Sequence, residues 1–178
     1  MRRKLTIFWL ILAWIALFWG HDTRAQIPPP LPGTIQMAAS SLTLSQSVTV
    51  TVQEINELSI SGDVTLTIAT ASPGTGPDPV NNVSASYNLT TNGSNKKIIG
   101  AIDVAYSAGL SLSALLTAPS GGSASIQTLS TTAKDLASGF GLTAETGLTI
   151  SYTATATINV PPNGLGETRT VTLTLMDN

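Results

Sequence analysis

The stretch GLTISYTATATI, residues 147–158, decides the fold class because its apolar and hydroxyl side chains alternate. Leu148, Ile150 and Tyr152 would face one side of an extended chain, and the hydroxyl residues between them would face the other. A period of two predicts a β-strand with one buried face. Because the stretch has twelve residues, beyond the usual strand of about 5–6 residues, we expect it to bend or to change sheets partway.

The same alternation recurs along most of the chain, which predicts about eight short strands in all. It is seen in residues 48–53, 64–68, 83–89, 98–106, 110–112 and 171–175. Gly100 interrupts the apolar face of its segment, so we expect another side chain or strand to approach closely there.

Turn signals separate these segments. Asn92-Gly93 is the pair that favours a two-residue hairpin, and SPGTGPDP, residues 72–79, reads as a rigid loop. TTAKDLASG, residues 131–139, fits either a helical turn or an irregular strand. We therefore predict an all-β domain, an immunoglobulin-like or related Greek-key sandwich of about 7–9 strands. The alternative is an up-and-down β-barrel.

The N-terminus has the features of an export signal. Three basic residues precede an uncharged apolar stretch, residues 5–20, and small residues follow. This pattern predicts a secretory signal helix, residues 1–25, cleaved between Ala25 and Gln26. A retained membrane anchor is the alternative, although sixteen residues are fewer than the roughly 20 needed to span a bilayer. We expect the protein to be extracellular, at the cell surface or in the periplasm, and bound to a membrane only through an uncleaved signal.

Behind the signal we expect a Pro-rich linker or extended arm, residues 26–46, and a sandwich domain, residues 47–178. Residues 26–178 contain no Cys, His or Trp, and their four basic and nine acidic side chains give a net charge of −5. Disulfides, zinc ligands and a histidine base are therefore excluded. The lack of a basic stripe argues against nucleic acid as a partner. We expect no catalytic residue, no cofactor and no enzyme activity.

Two groups of residues are candidates for a functional site. Glu54 and Glu57 could in principle form a pair of catalytic carboxylates, but acids at a strand end are ordinary. Asp78, Asn81 and Asn82 place oxygen ligands on one loop, and they are the best candidates for a calcium site. Calcium takes six to eight oxygen ligands, however, so turn geometry is the favoured interpretation of these residues.

Several segments together resemble a group of secreted bacterial single-domain β-proteins that have no assigned activity. The segments are VTVTVQEINELSISGDVTLTI (48–68), SYNLTTNGSNKKIIGAID (86–103), LSTTAKDL (129–136), GLTISYTATATI (147–158) and RTVTLTL (169–175). The resemblance covers roughly residues 45–176, and it implies an extracellular β-sandwich without implying any functional residue.

These observations favour a non-enzymatic secreted or cell-surface protein, either adhesin-like or a structural subunit of a fibre or envelope. A carbohydrate-binding module, with a glycan as its partner, is the alternative. Sheet edges accept added strands, so the extended arm could pair with a second copy or with another envelope protein. An arm that pairs within its own domain or stays mobile is the simpler alternative.

Overall fold

A computed structural model describes residues 41–178 of the chain. The predicted signal helix, its cleavage site at Ala25 and Gln26, and most of the predicted arm lie outside the described residues. The chain divides after Val48, and Thr49–Asn178 form a unit that contains every assigned strand. Among the described residues, no helix has the length and apolar character needed to cross a membrane.

Nine strands make up the described chain, which contains no helix, and they form two antiparallel sheets. The first sheet has the order β1-β2-β8-β4-β6 and the second the order β5-β7-β3-β9. The predicted all-β architecture of two packed layers is therefore confirmed at this level. The strands are β1 (Asn56–Ile60), β2 (Val80–Thr91), β3 (Lys96–Ile102), β4 (Leu110–Leu116), β5 (Ser123–Ala124), β6 (Gln127–Thr128), β7 (Lys134–Phe140), β8 (Thr143–Ala156) and β9 (Val171–Asp177).

From β2 onward, every connection carries the chain from one sheet to the other. The predicted hairpin at Asn92-Gly93 is therefore wrong, because β2 and β3 lie in different sheets. Leu89 on β2 and Ile98 on β3 are both buried in the core. The connection therefore passes from one layer to the other, and both strands contribute their apolar faces to the core between the sheets.

The core consists of the inward-facing alternate residues of both sheets. Tyr87, Ile98 and Ile150 are fully buried, and Tyr152 is nearly so. The predicted close approach at Gly100 is confirmed, since an added Cβ would lie 2.5 Å from Leu136 Cδ1. β8 does not change sheets, because it pairs with β2 along one edge and with β4 along the other.

Some alternating segments form no strand, or face outward. Residues 48–52 and 64–68 belong to no strand, although Val64 and Leu66 still pack against the core. Val83 was expected to face inward with Tyr87, but it is 60% exposed. A register shift between Asn82 and Ala85 inserts one extra residue in β2, which reverses the phase of the alternation there. The ambiguous stretch 131–139 contributes most of β7, with register shifts against β3.

Candidate functional site

Lys96 is a buried charged residue at the first position of β3. Its side chain is 4% exposed, and it shares the inward phase of Ile98 and Ile102. A buried lysine requires a partner, because removing an ammonium group from water without compensation is costly. Alternation did not indicate this residue as a functional one, although Lys96 lies at an even spacing from the core residues Ile98 and Ile102.

The Nζ atom of Lys96 donates to Oε1 of Glu54 and to Oδ1 of Asp177. Glu54 lies just before β1, and Asp177 ends β9 directly opposite Lys96. We call these three residues the clasp, since they join the two edge strands through β3. The bonds to Asp177 and Glu54 raise the pKa of Lys96 above its usual value, and the bond from Lys96 lowers the pKa of Glu54.

The turn between β2 and β3 holds the chain just before β1. Asn92 accepts a hydrogen bond from the Ile55 N–H (2.7 Å) on its side-chain oxygen, and its side-chain amide donates to the Gln53 carbonyl (2.8 Å). The Asn92 backbone N–H also donates to the Ile55 carbonyl (3.2 Å). These bonds continue the line of the β1–β2 pairing beyond the end of β1. Residues 53–55 are therefore fixed in an extended path.

Two glycines make this packing possible. A Cβ on Gly93 would lie 2.3 Å from Lys96 Cε, and a Cβ on Gly141 would lie 2.6 Å from the Gly93 carbonyl oxygen. An open depression of about 570 Å³ lies over the clasp, and it is also lined by Val52 and Leu142. Each charged group in it already has a partner of opposite charge, so the depression presents paired charges instead of free ones.

The chain preceding the clasp is apolar at alternate positions and is exposed. We call residues 42–52 the exposed segment. It belongs to no strand, and its side chains are 75–85% accessible to solvent at Leu42, Leu44, Val48, Val50 and Val52. Contiguous exposed apolar side chains on a soluble domain are typical of an interaction surface.

A second, narrower groove runs between β1 and β9, and we call it the seam. Each of these strands is the last in its sheet and pairs on one side only among the described residues. The seam has a volume of about 280 Å³ and is lined by Asn56, Leu58, Ser59, Ile60, Leu173, Thr174 and Leu175. Ile60 is 48% exposed there, whereas Leu58, Leu173 and Leu175 are half-buried. The two sheets are thus incompletely covered along this side.

The candidate calcium residues serve the sheet in this structure. The Asn81 amide donates to Ser151 Oγ (2.7 Å) and Thr153 Oγ1 (3.1 Å). Asn82 Oδ1 accepts from the Ser84 N–H (2.8 Å), and the backbone N–H of Asp78 donates to the Thr70 carbonyl (2.8 Å). Residues 41–178 contain no group of three or more acids placed to hold a metal ion. The calcium site stays a prediction.

Two other acids, Glu145 and Glu167, bond to backbone N–H and hydroxyl groups of other residues. Glu145 accepts from Thr143 Oγ1 (2.6 Å) and the Ser120 N–H (2.7 Å), and these bonds lower its pKa. Glu167 accepts from the Ser107 hydroxyl and pairs with Arg169, whose guanidinium lies 4.9 Å from the Tyr106 ring centroid. Glu57 was weighed with Glu54 as a catalytic pair and set aside; it lies exposed on β1, while Glu54 belongs to the clasp.

No family model, curated protein or solved structure matches this chain.

Proposed function

We propose that this protein is a non-enzymatic structural subunit of the cell surface, which is exported through its N-terminal signal and assembles through the exposed segment. One observation carries this proposal. Five apolar side chains at alternate positions are 75–85% exposed within residues 42–52. A segment with the pattern of a half-buried strand gains stability only when a partner covers its apolar face.

The sandwich is proposed to be of the immunoglobulin type. In that fold one sheet has the order A-B-E-D and the other the order C-F-G. The order β1-β2-β8-β4 corresponds to A-B-E-D, and the adjacent pair β3-β9 corresponds to C-F. Strands β5, β6 and β7 lie between D and E along the chain. Within the described residues no strand pairs with the free edge of β9, where strand G would lie.

The charged residues support a structural role over a catalytic one. Lys96, Glu54, Glu145 and Glu167 are each engaged in hydrogen bonds that join chain segments to one another. Neither depression is lined by an aromatic side chain, the usual platform for stacking a sugar.

The proposal is tested by measuring the mass of the exported protein at rising concentration, using light scattering after size-exclusion chromatography. We expect the wild type to form larger species and the variant with Val48→Thr, Val50→Thr and Val52→Thr to remain a monomer. These changes keep side-chain shape and replace one methyl group by a hydroxyl. The control variant carries Thr43→Ser, Thr49→Ser and Thr51→Ser on the opposite face, and it should assemble like the wild type.

A wild type that stays monomeric, or valine variants that assemble normally, would overturn the proposal. Export is tested separately by mass spectrometry of the purified protein, which should begin at Gln26 if the signal is cleaved where we expect. An uncleaved N-terminus at the cell surface would instead indicate a retained anchor.

A further inference from the structure

We infer that the seam between β1 and β9 is the acceptor for the exposed segment of a second copy of this chain, which adds a strand to the free edge of β9. This inference rests on the proposed function and names the surface to which the exposed segment binds. It makes each molecule both a donor and an acceptor of one strand.

The geometry of the two surfaces matches. The seam presents Leu58 and Ile60 from β1, and Leu173 and Leu175 from β9, each pair two residues apart. The exposed segment carries Val48, Val50 and Val52 at the same interval. Successive inward side chains of a strand repeat about every 6.6–6.8 Å on either partner. An added strand could therefore place successive valines in the seam, each between a residue of β1 and a residue of β9.

Length and backbone bonding also fit. The segment 42–52 has eleven residues and spans about 36 Å when extended, whereas the seven residues of β9 span about 23 Å. Within residues 41–178, β9 pairs only with β3, so the N–H and C=O groups along its other edge can bond to a new strand. Strand addition supplies affinity through these main-chain bonds.

The two surfaces match in charge as well. The residues that line the seam are all uncharged, and residues 41–53 contain no charged side chain. Glu54 is the first charged residue after the segment, and it is already bound to Lys96. Burying the segment in the seam would therefore desolvate no unpaired charge, which is the main penalty in forming such an interface.

The bonds to Asn92 favour a second copy over the molecule's own segment. They hold residues 53–55 in line with β1, so the chain does not turn back along the seam at that point. A donor and an acceptor at different places on one chain form a head-to-tail contact. Repetition of such a contact produces rings or open fibres.

Cysteine cross-linking tests the inference, since residues 26–178 contain no cysteine of their own. Thr51 would lie on the outer face of the added strand, and Thr174 is exposed on the outer face of β9. A chain carrying Thr51→Cys is mixed with a differently tagged chain carrying Thr174→Cys and then oxidised. Thr49→Cys and Thr172→Cys are combined in the same way to cover the neighbouring registers. The matched control replaces the acceptor by Thr128→Cys on β6, the edge strand of the first sheet that lies opposite β1.

We expect a disulfide between the two tagged chains for at least one combination on β9, and at least a tenfold lower yield with β6. A higher yield with β6 would overturn the inference, as would no cross-link at β9 in a protein that assembles through its valines. Both outcomes would leave the proposed function standing. A double variant that cross-links only within single chains would show that the molecule's own segment fills the seam, and would overturn donation between copies.

A second pair of variants tests the acceptor side. Ile60→Asn places a polar amide in the seam, and Ile158→Asn makes the same change at a residue that is 77% exposed and outside the seam. Both variants should keep the wild-type circular dichroism spectrum. Only Ile60→Asn should weaken assembly, by tenfold or more in the concentration at which large species form. Equal assembly of the two variants would overturn the inference.

Discussion

The exposed segment and strand β3 have the same sequence pattern and opposite fates. Ile98 and Ile102 alternate with outward residues and are 0% and 4% exposed, whereas Val50 alternates with threonines and is 82% exposed. The difference is the partner: β3 has neighbouring strands on both sides, and the exposed segment has none among the described residues. Alternation therefore predicts that a face will be buried without specifying which molecule covers it.

The largest expected effect separates these two regions directly. Ile98→Ala should lower the free energy of unfolding by about 2–5 kcal/mol, because it leaves a cavity in the core. Val50→Ala should change it by less than about 0.5 kcal/mol in dilute, monomeric protein. Urea denaturation followed by far-ultraviolet circular dichroism measures both. A comparable loss for Val50→Ala would mean that the segment is covered within its own molecule.

A smaller effect concerns the packing around Gly100. Gly100→Ala should cost about 1–3 kcal/mol by overpacking, since its Cβ would lie 2.5 Å from the buried Leu136. Gly62→Ala is the matched control, because nothing lies within 4 Å of the added Cβ there. Leu136→Val should recover part of the loss when it is combined with Gly100→Ala. Equal stability of the two glycine variants would show that Leu136 shifts freely.

Alternation predicted the inward faces of several strands, and it failed on β2, where a bulge leaves Val83 exposed. The inward residues of β8 and β9 were identified from a period of two, and Gly100 was correctly predicted as a point of close approach. Sheet membership could not be predicted, because alternation is the same for a hairpin and for a connection between layers. The turn at Asn92-Gly93 shows this, since its residues fit a hairpin within one sheet and a connection between the two sheets equally well.

The site was harder to predict than the fold. The clasp joins Glu54, Lys96 and Asp177, which are up to 123 positions apart in sequence, and no local pattern indicates that they meet. The seam depends on which strands lie at the sheet edges, which follows from the topology alone. For the exposed segment, alternation in residues 48–53 predicted a strand, whereas the structure assigns no strand to residues 42–52.

The clasp lies between the exposed segment and β3. Removing its positive charge and removing its negative charges should lower the stability by different amounts. Glu54→Gln combined with Asp177→Asn leaves Lys96 buried without a charged partner, which is the costly arrangement. Lys96→Met instead leaves two carboxylates that are 55% and 84% exposed and can be solvated. We expect the carboxylate double variant to have the lower urea midpoint. The reverse order would show that Lys96 contributes chiefly by packing.

The smallest expected effect is the change in stability at low pH that Glu54 causes, directly after the exposed segment. The bond from Lys96 lowers the pKa of Glu54 from its usual 4.5, so folding is favoured by this group above pH 4.5 and loses that support as the pH falls through the lowered value. The pKa of Lys96 is raised from 10.5, so its contribution is complete below pH 10.5 and is lost only at higher pH. Both contributions are therefore present at neutral pH.

Glu54→Gln should be less stable than the wild type at neutral pH, and the two unfolding curves should converge well below pH 4.5. Glu57→Gln, which changes an exposed acid on β1, should leave this pH dependence unaltered. If the gap between wild type and Glu54→Gln persists unchanged in acid, then Glu54 fixes the base of the segment through its shape and its bond with Asn56, and not through its charge.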